Sequence, residues 1–159
     1  MRNAQDIEQV ISDIGTLITE NIQTYIDEMN AARTDIVLED FNSDAFLSWE
    51  LDFALPYPIF YFLAPSQKIK VESCSYGGTA VNYKVSFAIC IQETGRQDMT
   101  KLIHRYITIL IKLFNAIIVK EYSSCQIVEI NTVPFELDTD NGTRKFEAPM
   151  ISIEVPIAF

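Results

Sequence analysis

The chain is short of the residues most chemistry needs: one histidine, one tryptophan, three cysteines and five glycines in 159 residues. Each shortage closes off a class of function. The cysteines (Cys74, Cys90, Cys125) are odd in number, scattered and without metal-ligand spacing. They read as buried free thiols, not as a disulfide framework or a zinc site. The lone histidine, His104, lies between Lys101 and Arg105 with no carboxylate or nucleophile aimed at it by the sequence, so a partly exposed helix histidine is expected. No GxSxG, HExxH, CxxC or glycine-rich phosphate loop occurs. Gly77-Gly78 is the nearest approach to a phosphate loop, but no helix start with Lys-Ser or Lys-Thr follows it, so it reads as a hairpin turn. No enzymatic activity, cofactor or metal is expected. Long apolar runs are missing too. The most apolar window, Tyr106 to Val119, is too short to span a membrane and contains Lys112 and Asn115. Met1 leads into a polar, acidic stretch instead of a signal-peptide core. A protein that is cytosolic, or assembles in a cytosol, is expected.

Positive charge is scarce in the first part. Residues 1–63 hold twelve acidic side chains and two basic ones, Arg2 and Arg33, while residues 64–159 hold ten of each. The net charge of −10 therefore belongs to the N-terminal part. Phosphate binding needs clustered Lys and Arg, so a nucleic-acid grip by this segment is not expected. Two readings stand: a solvated acidic face that aids solubility, or an acidic surface that meets a basic partner.

What is present is a strongly patterned core. Apolar residues make up 48% of the chain, enough for one well-packed domain and too many for a disordered one. The expected division is an N-terminal helix (1–33), an acidic-aromatic connecting segment (34–55), and a sheet with the main helix (56–159). Gln97 to Val119 is the main helix. Its polar residues Lys101, His104, Arg105, Thr108, Lys112 and Asn115 recur at steps of three and four and form one narrow stripe. The rest is apolar over more than the roughly 100° that packing on one sheet requires. Such a helix needs cover from a sheet and from a second helix or a neighbouring subunit. Asp98 or Thr94 is placed to cap it.

Asp6 to Ala32 is a first helix, with Ile7, Val10, Ile14, Leu17, Ile18, Ile22, Tyr25, Ile26 and Met29 on one face and Glu8, Asp13, Glu20 and Asp27 on the other. Thr34 to Leu55 has no sustained period. It reads as a loop pinned by Phe41, Phe46, Trp49, Leu51 and Phe53, with a short helical turn at Ser43–Trp49, and its length suggests subunit contact. Strands are expected at Ile59–Leu63, Ile69–Ser75 and Val81–Gln92, the last with six alternating matches. Gln126–Leu137 is a strand whose apolar phase changes between Ile130 and Val133, so a bulge near Thr132–Pro134 is expected, with Pro134 marking an edge or a bulge. DTDNGT (Asp138–Thr143) is a hairpin tip turning at Asn141-Gly142, and a last strand runs from Phe146 to the end. Helix, strands, helix, strands is α+β: an antiparallel or mixed sheet with two main helices mostly on one face.

This layout is similar to that of tail terminator and head–tail joining proteins of long-tailed bacteriophages. The matching features are the amphipathic first helix, the proline-aromatic lead into a strand at Leu55–Leu63, the alternating strand Val81–Gln92, the apolar helix Asp98–Val119 and the closing hairpin Gln126–Phe159. The first helix and the acidic-aromatic segment are long beside the smallest members. The resemblance implies a virion protein of the tail or neck, assembled in the host cytoplasm. It would form a homo-oligomeric ring, a hexamer, that caps the tail tube and joins it to the head. Its partners would be the tail tube protein and head–tail connector proteins, with no membrane and no sequence-specific nucleic acid. It carries over no catalytic, cofactor or metal residues. The residues expected at an assembly interface are Asp138, Asp140, Asn141, Arg144 and Lys145 at the hairpin tip, with Phe46 and Trp49 in the connecting segment. Two other readings remain open on residues alone. One is an enzyme or small-ligand binder with a pocket lined by Tyr57, Tyr61 and Trp49. The other is a cytosolic adaptor that takes a partner strand at the Pro134 edge.

Overall fold

The computed structural model describes residues 7–42, 46–47, 59–63, 70–73, 79–92, 95–118, 120, 125–139 and 142–158. The first helix, α1, runs Ile7–Ala32. Val10, Ile14, Ile18, Ile22 and Ile26 recur every four residues and are fully buried. Each such side chain contributes roughly 1.5–3 kcal/mol by leaving water. Tyr25 and Met29 pack half-buried against the same core. Beyond α1 the chain is strapped back along it. Asn30 treats Leu38 as a backbone partner would: its amide donates to the Leu38 carbonyl (2.9 Å) and accepts from the Leu38 N–H (2.8 Å). Two helical turns earlier, Gln23 accepts from the Phe41 N–H (2.8 Å) and donates to Asp40 (3.0 Å). Leu38 is buried between these clasps.

The main helix, α2, spans Arg96–Leu113 and passes into a π-helical turn at Phe114–Ile118. The expected α-helix is thus interrupted by a π-helical turn, while Val119 lies outside the described residues. The wider turn lets the adjacent Leu113 and Phe114, and then Ile118, all reach the core. The helix starts differently from expectation as well. Gly95 occupies the N-cap position with no side-chain cap, and Asp98 sits inside the first turn, where its charge favours the helix dipole. Thr94 lies outside the described residues. The broad apolar surface of α2 packs on α1 on one side and on the sheet on the other. One chain thus covers two sides of this face, leaving Leu102, Ile103, Ile107 and Ile111 partly buried, so its width alone is no argument for a neighbouring subunit.

The fold is α+β. Strands β1 (Phe46–Leu47), β2 (Ile59–Leu63), β3 (Lys70–Ser73), β4 (Thr79–Gln92), β5 (Gln126–Thr139) and β6 (Gly142–Ala158) form one sheet in the order β1-β2-β4-β6-β5, with β3 also on β4. Only β1 and β2 pair in parallel. The helical turn expected at Ser43–Trp49 is overridden, because Phe46 and Leu47 join the sheet opposite Phe60 and Tyr61. Of the strand expected at Ile69–Ser75, Lys70–Ser73 are described and form β3, while the Gly77-Gly78 turn lies outside the described residues. On the helix side, Val85 and Phe87 stand opposite Ile153 and Ile151. The other face is closed at its centre too. Ser86, Ala88, Cys90, Ala148, Met150 and Ser152 are all buried there, and Ser86 and Ser152 share a hydroxyl hydrogen bond of 2.7 Å.

β5 and β6 form a long hairpin whose register brackets Asp140 and Asn141, with Thr139 opposite Gly142. The turn is therefore one residue earlier than expected. Gly142 is the first ladder residue and has a φ of 107°, a conformation glycine adopts without strain. The single register shift lies between Ile127 and Glu129, not at Thr132–Pro134. Ile130 faces the helix side, opposite Ile151, and Val133 the other, opposite Ala148. The apolar phase change is thus no slip in pairing: the register is unbroken there, and the apolar side chains pass from one face of the strand to the other. Pro134 does mark an edge among the described strands, where β5 bonds to β6 alone. Counting alternate pairs from the two-residue loop places Pro134 where its nitrogen points away from β6. The same count turns the Pro149 nitrogen toward β4, and there the β4–β6 ladder breaks between Ala88–Met150 and Ile91–Glu147.

Candidate functional site

Two surfaces stand out. The first is the open edge of β5. Val128, Ile130 and Val133 are each about 40% exposed, unusual for large apolar side chains on one strand. Val128 is the bulged residue. The alternate-pair count directs the backbone groups of Ile130, Thr132, Glu136 and Asp138 outward, with no donor at Pro134. The edge can therefore accept a strand on either side of Pro134 but not straight across it. At its far end, Thr143 donates to Asp138 (2.9 Å) and Lys145 pairs with Glu136 (3.4 Å). Asp138 and Lys145 thus share one face of the hairpin, while Arg144, opposite Leu137, is exposed on the other. Asp140, Asn141 and Trp49 lie outside the described residues. Phe46 is on β1, at the opposite end of the strand order from β5.

The second surface is a cleft of about 590 Å³ where the C-terminal end of α1 meets the polar stripe of α2. Lys101, His104, Arg105 and Thr108 line one wall, and Met29, Ala32, Arg33, Thr34 and Asp35 the other. His104 is exposed, as expected. Arg105 is not: it is 8% exposed, bound to the Asp35 carboxylate and the Ile36 carbonyl. Asp35 also accepts from Lys101 at 2.9 Å. Hydrogen bonds from Lys101 and then Arg105 hold the Asp35 carboxyl well below the usual carboxylate range, against a small desolvation effect. The cleft gathers Arg33, Lys101, His104 and Arg105 around one carboxylate, in a chain of net charge −10. A sequence signal existed for Asp35. Lys101 and Arg105, four residues apart on one helix face, repel unless an acid sits between them.

Neither surface aligns a nucleophile with a base. Cys90 and Cys125 are buried free thiols, their pKa values pushed up to about 12 by burial. That suits packing, not reactivity. Cys74, Tyr57 and the side chain of Tyr61 lie outside the described residues. Burial, with a smaller contribution from the Glu39 charge, raises the Tyr106 hydroxyl above its ordinary value. Among the described residues no group of three or more His, Cys, Asp or Glu is placed to hold a metal ion. No helix among them is long and apolar enough to cross a membrane. No family model matches the chain, and no curated protein matches it significantly.

Proposed function

We propose that this protein is a structural component of a long-tailed phage particle, a tail terminator or head–tail joining protein that acts as an oligomeric ring, six chains to a turn. In this role it caps the tail tube and joins it to the head without catalysing a reaction. The observation that carries the reading is the β5 edge: a fourteen-residue strand that among the described residues is paired on one side only, with three half-exposed apolar side chains. Such an edge invites a second chain unless something blocks it. The α+β order of helix, strands, helix and long hairpin agrees with the family layout. The expected contact residues also fall at both ends of the strand order, Phe46 on β1 and Asp138, Arg144 and Lys145 on the β5–β6 hairpin. A head-to-tail contact needs two different patches of this kind.

The test is the particle mass by light scattering over a wide concentration range, alone and with tail tubes. A closed species of six times 18.1 kDa is expected, free or on the tube end, with rings in negative-stain images. A strict monomer in both settings rejects the ring.

A further inference from the structure

The acids of α1 are not scattered. Asp13, Glu20 and Asp27 recur every seven residues, two helical turns, so they line one stripe roughly 20 Å long. Glu20 and Asp27 are exposed and Asp13 half-buried. At 100° per residue, Asp27 and Met29 differ by about 200° around the axis. Met29 lines the basic cleft. The acidic stripe and the cleft therefore face away from each other, and neither can neutralise the other within one chain.

The cleft itself is built to stay positive. The strap past α1 places Asp35 against Arg105 and Lys101, which fixes both cations, yet a single carboxylate serves the two. Arg33 and His104 add to the cleft and make no side-chain hydrogen bond or ion pair with any described residue. Like copies carrying −10 repel at long range, so an ordered contact between them must set a positive patch of one against a negative patch of the next. The cleft sets Arg33, Lys101 and Arg105 against the single carboxylate of Asp35, and the α1 stripe offers three carboxylates in a row.

From this complementarity we infer that the cleft between α1 and α2 receives the Asp13–Glu20–Asp27 face of α1 from a second copy of the chain. The inference rests on the ring reading and gives it a specific interface. Two distinct patches facing apart make a heterologous contact, which propagates from copy to copy and closes when the rotation allows. The interface is electrostatic, so raising salt shortens the reach of its attraction and loosens it.

Charge reversal tests this. Arg33→Glu with His104→Glu reverses the cleft, and Glu20→Lys with Asp27→Lys reverses the stripe. All four positions are exposed, and circular dichroism checks that each variant folds. In whichever setting the wild type assembles, alone or on tail tubes, each reversed variant is expected to lose at least tenfold in assembly affinity. An equimolar mixture of the two is expected to regain the wild-type mass, because each then offers what the other lacks. If both variants assemble like the wild type, or the mixture stays dissociated, the interface lies elsewhere and the ring reading survives. If the wild type itself never assembles, the ring falls and this interface falls with it.

Discussion

Asp35 is half exposed, yet it holds a buried guanidinium and an ammonium. Its carboxyl titrates below its ordinary value of 3.8 in the folded chain, so folding favours the ionised form. For a depressed carboxylate, the stability gained is present above the unfolded pKa and is lost as pH falls through the folded one. Asp35→Asn is expected to lower the thermal midpoint by a few degrees at pH 7, and the gap from wild type should close as pH drops below about 4. A gap that persists unchanged at pH 2 would assign the effect to something other than the carboxylate charge. Ser86 and Ser152 pose a simpler residue-scale question. Each buried hydroxyl is satisfied by the other. Removing one by Ser→Ala leaves an orphan and is expected to cost about 1 kcal/mol or more, while the double Ala variant should cost no more than the worse single. Denaturant unfolding of the four proteins measures this, and strictly additive losses would break the pairing. The sequence hid the serine pair, because a serine on a strand carries no sign of a distant partner; for Asp35 it held only the Lys101 and Arg105 spacing, which calls for an acid without saying which one.

Whole elements were far more legible. Periods of 3.6 and 2 placed α1, α2 and β4 within a few residues, and an unbroken apolar run placed β2, because the pattern of apolar residues records how each element meets the core. Legibility failed where a neighbour decided the structure. Phe46–Leu47 is a strand only because β2 offers it a partner. The phase change in β5 looked like a bulge because the sequence cannot tell which face of a strand is covered. The two amide clasps, Asn30 on Leu38 and Gln23 on Phe41, order a stretch with no period at all. The hairpin end gives the prediction at this scale. Replacing Asp138–Thr143 by Asn-Gly recloses the turn on the Leu137–Arg144 pair without changing register. Stability should change by less than about 0.5 kcal/mol, as for surface changes away from the core. Ring formation or tail capping should weaken. If the shortened protein assembles and caps tails as well as the parent, the tip is an ordinary turn.

At the scale of the molecule, the charge imbalance was plain from the sequence and its arrangement was not. Counting placed the net −10 in the first 63 residues but could not separate a stripe from a cloud. The polar stripe of α2 was plain in the sequence, and the fold makes it one wall of a cleft by setting the end of α1 against it. The β5 edge was foreshadowed by Pro134 alone. The exposed Val128 and Ile130 had read as core, since an apolar residue on a strand gives no hint that its side of the sheet ends there.

The position of β6 bears on how the chain is made. It is the last described strand in sequence, yet it sits inside the sheet, joining β4 to β5. Val81 waits for Ile157 and Val85 for Ile153, partners dozens of residues further along. While the ribosome is still delivering the C-terminal stretch, β4 and β5 have no strand between them and their inner edges stand unpaired. Closure of contacts so distant along the chain is slow compared with helix formation. The sheet therefore stays unfinished until β6 is made, and the keystone arrives after both strands that it joins.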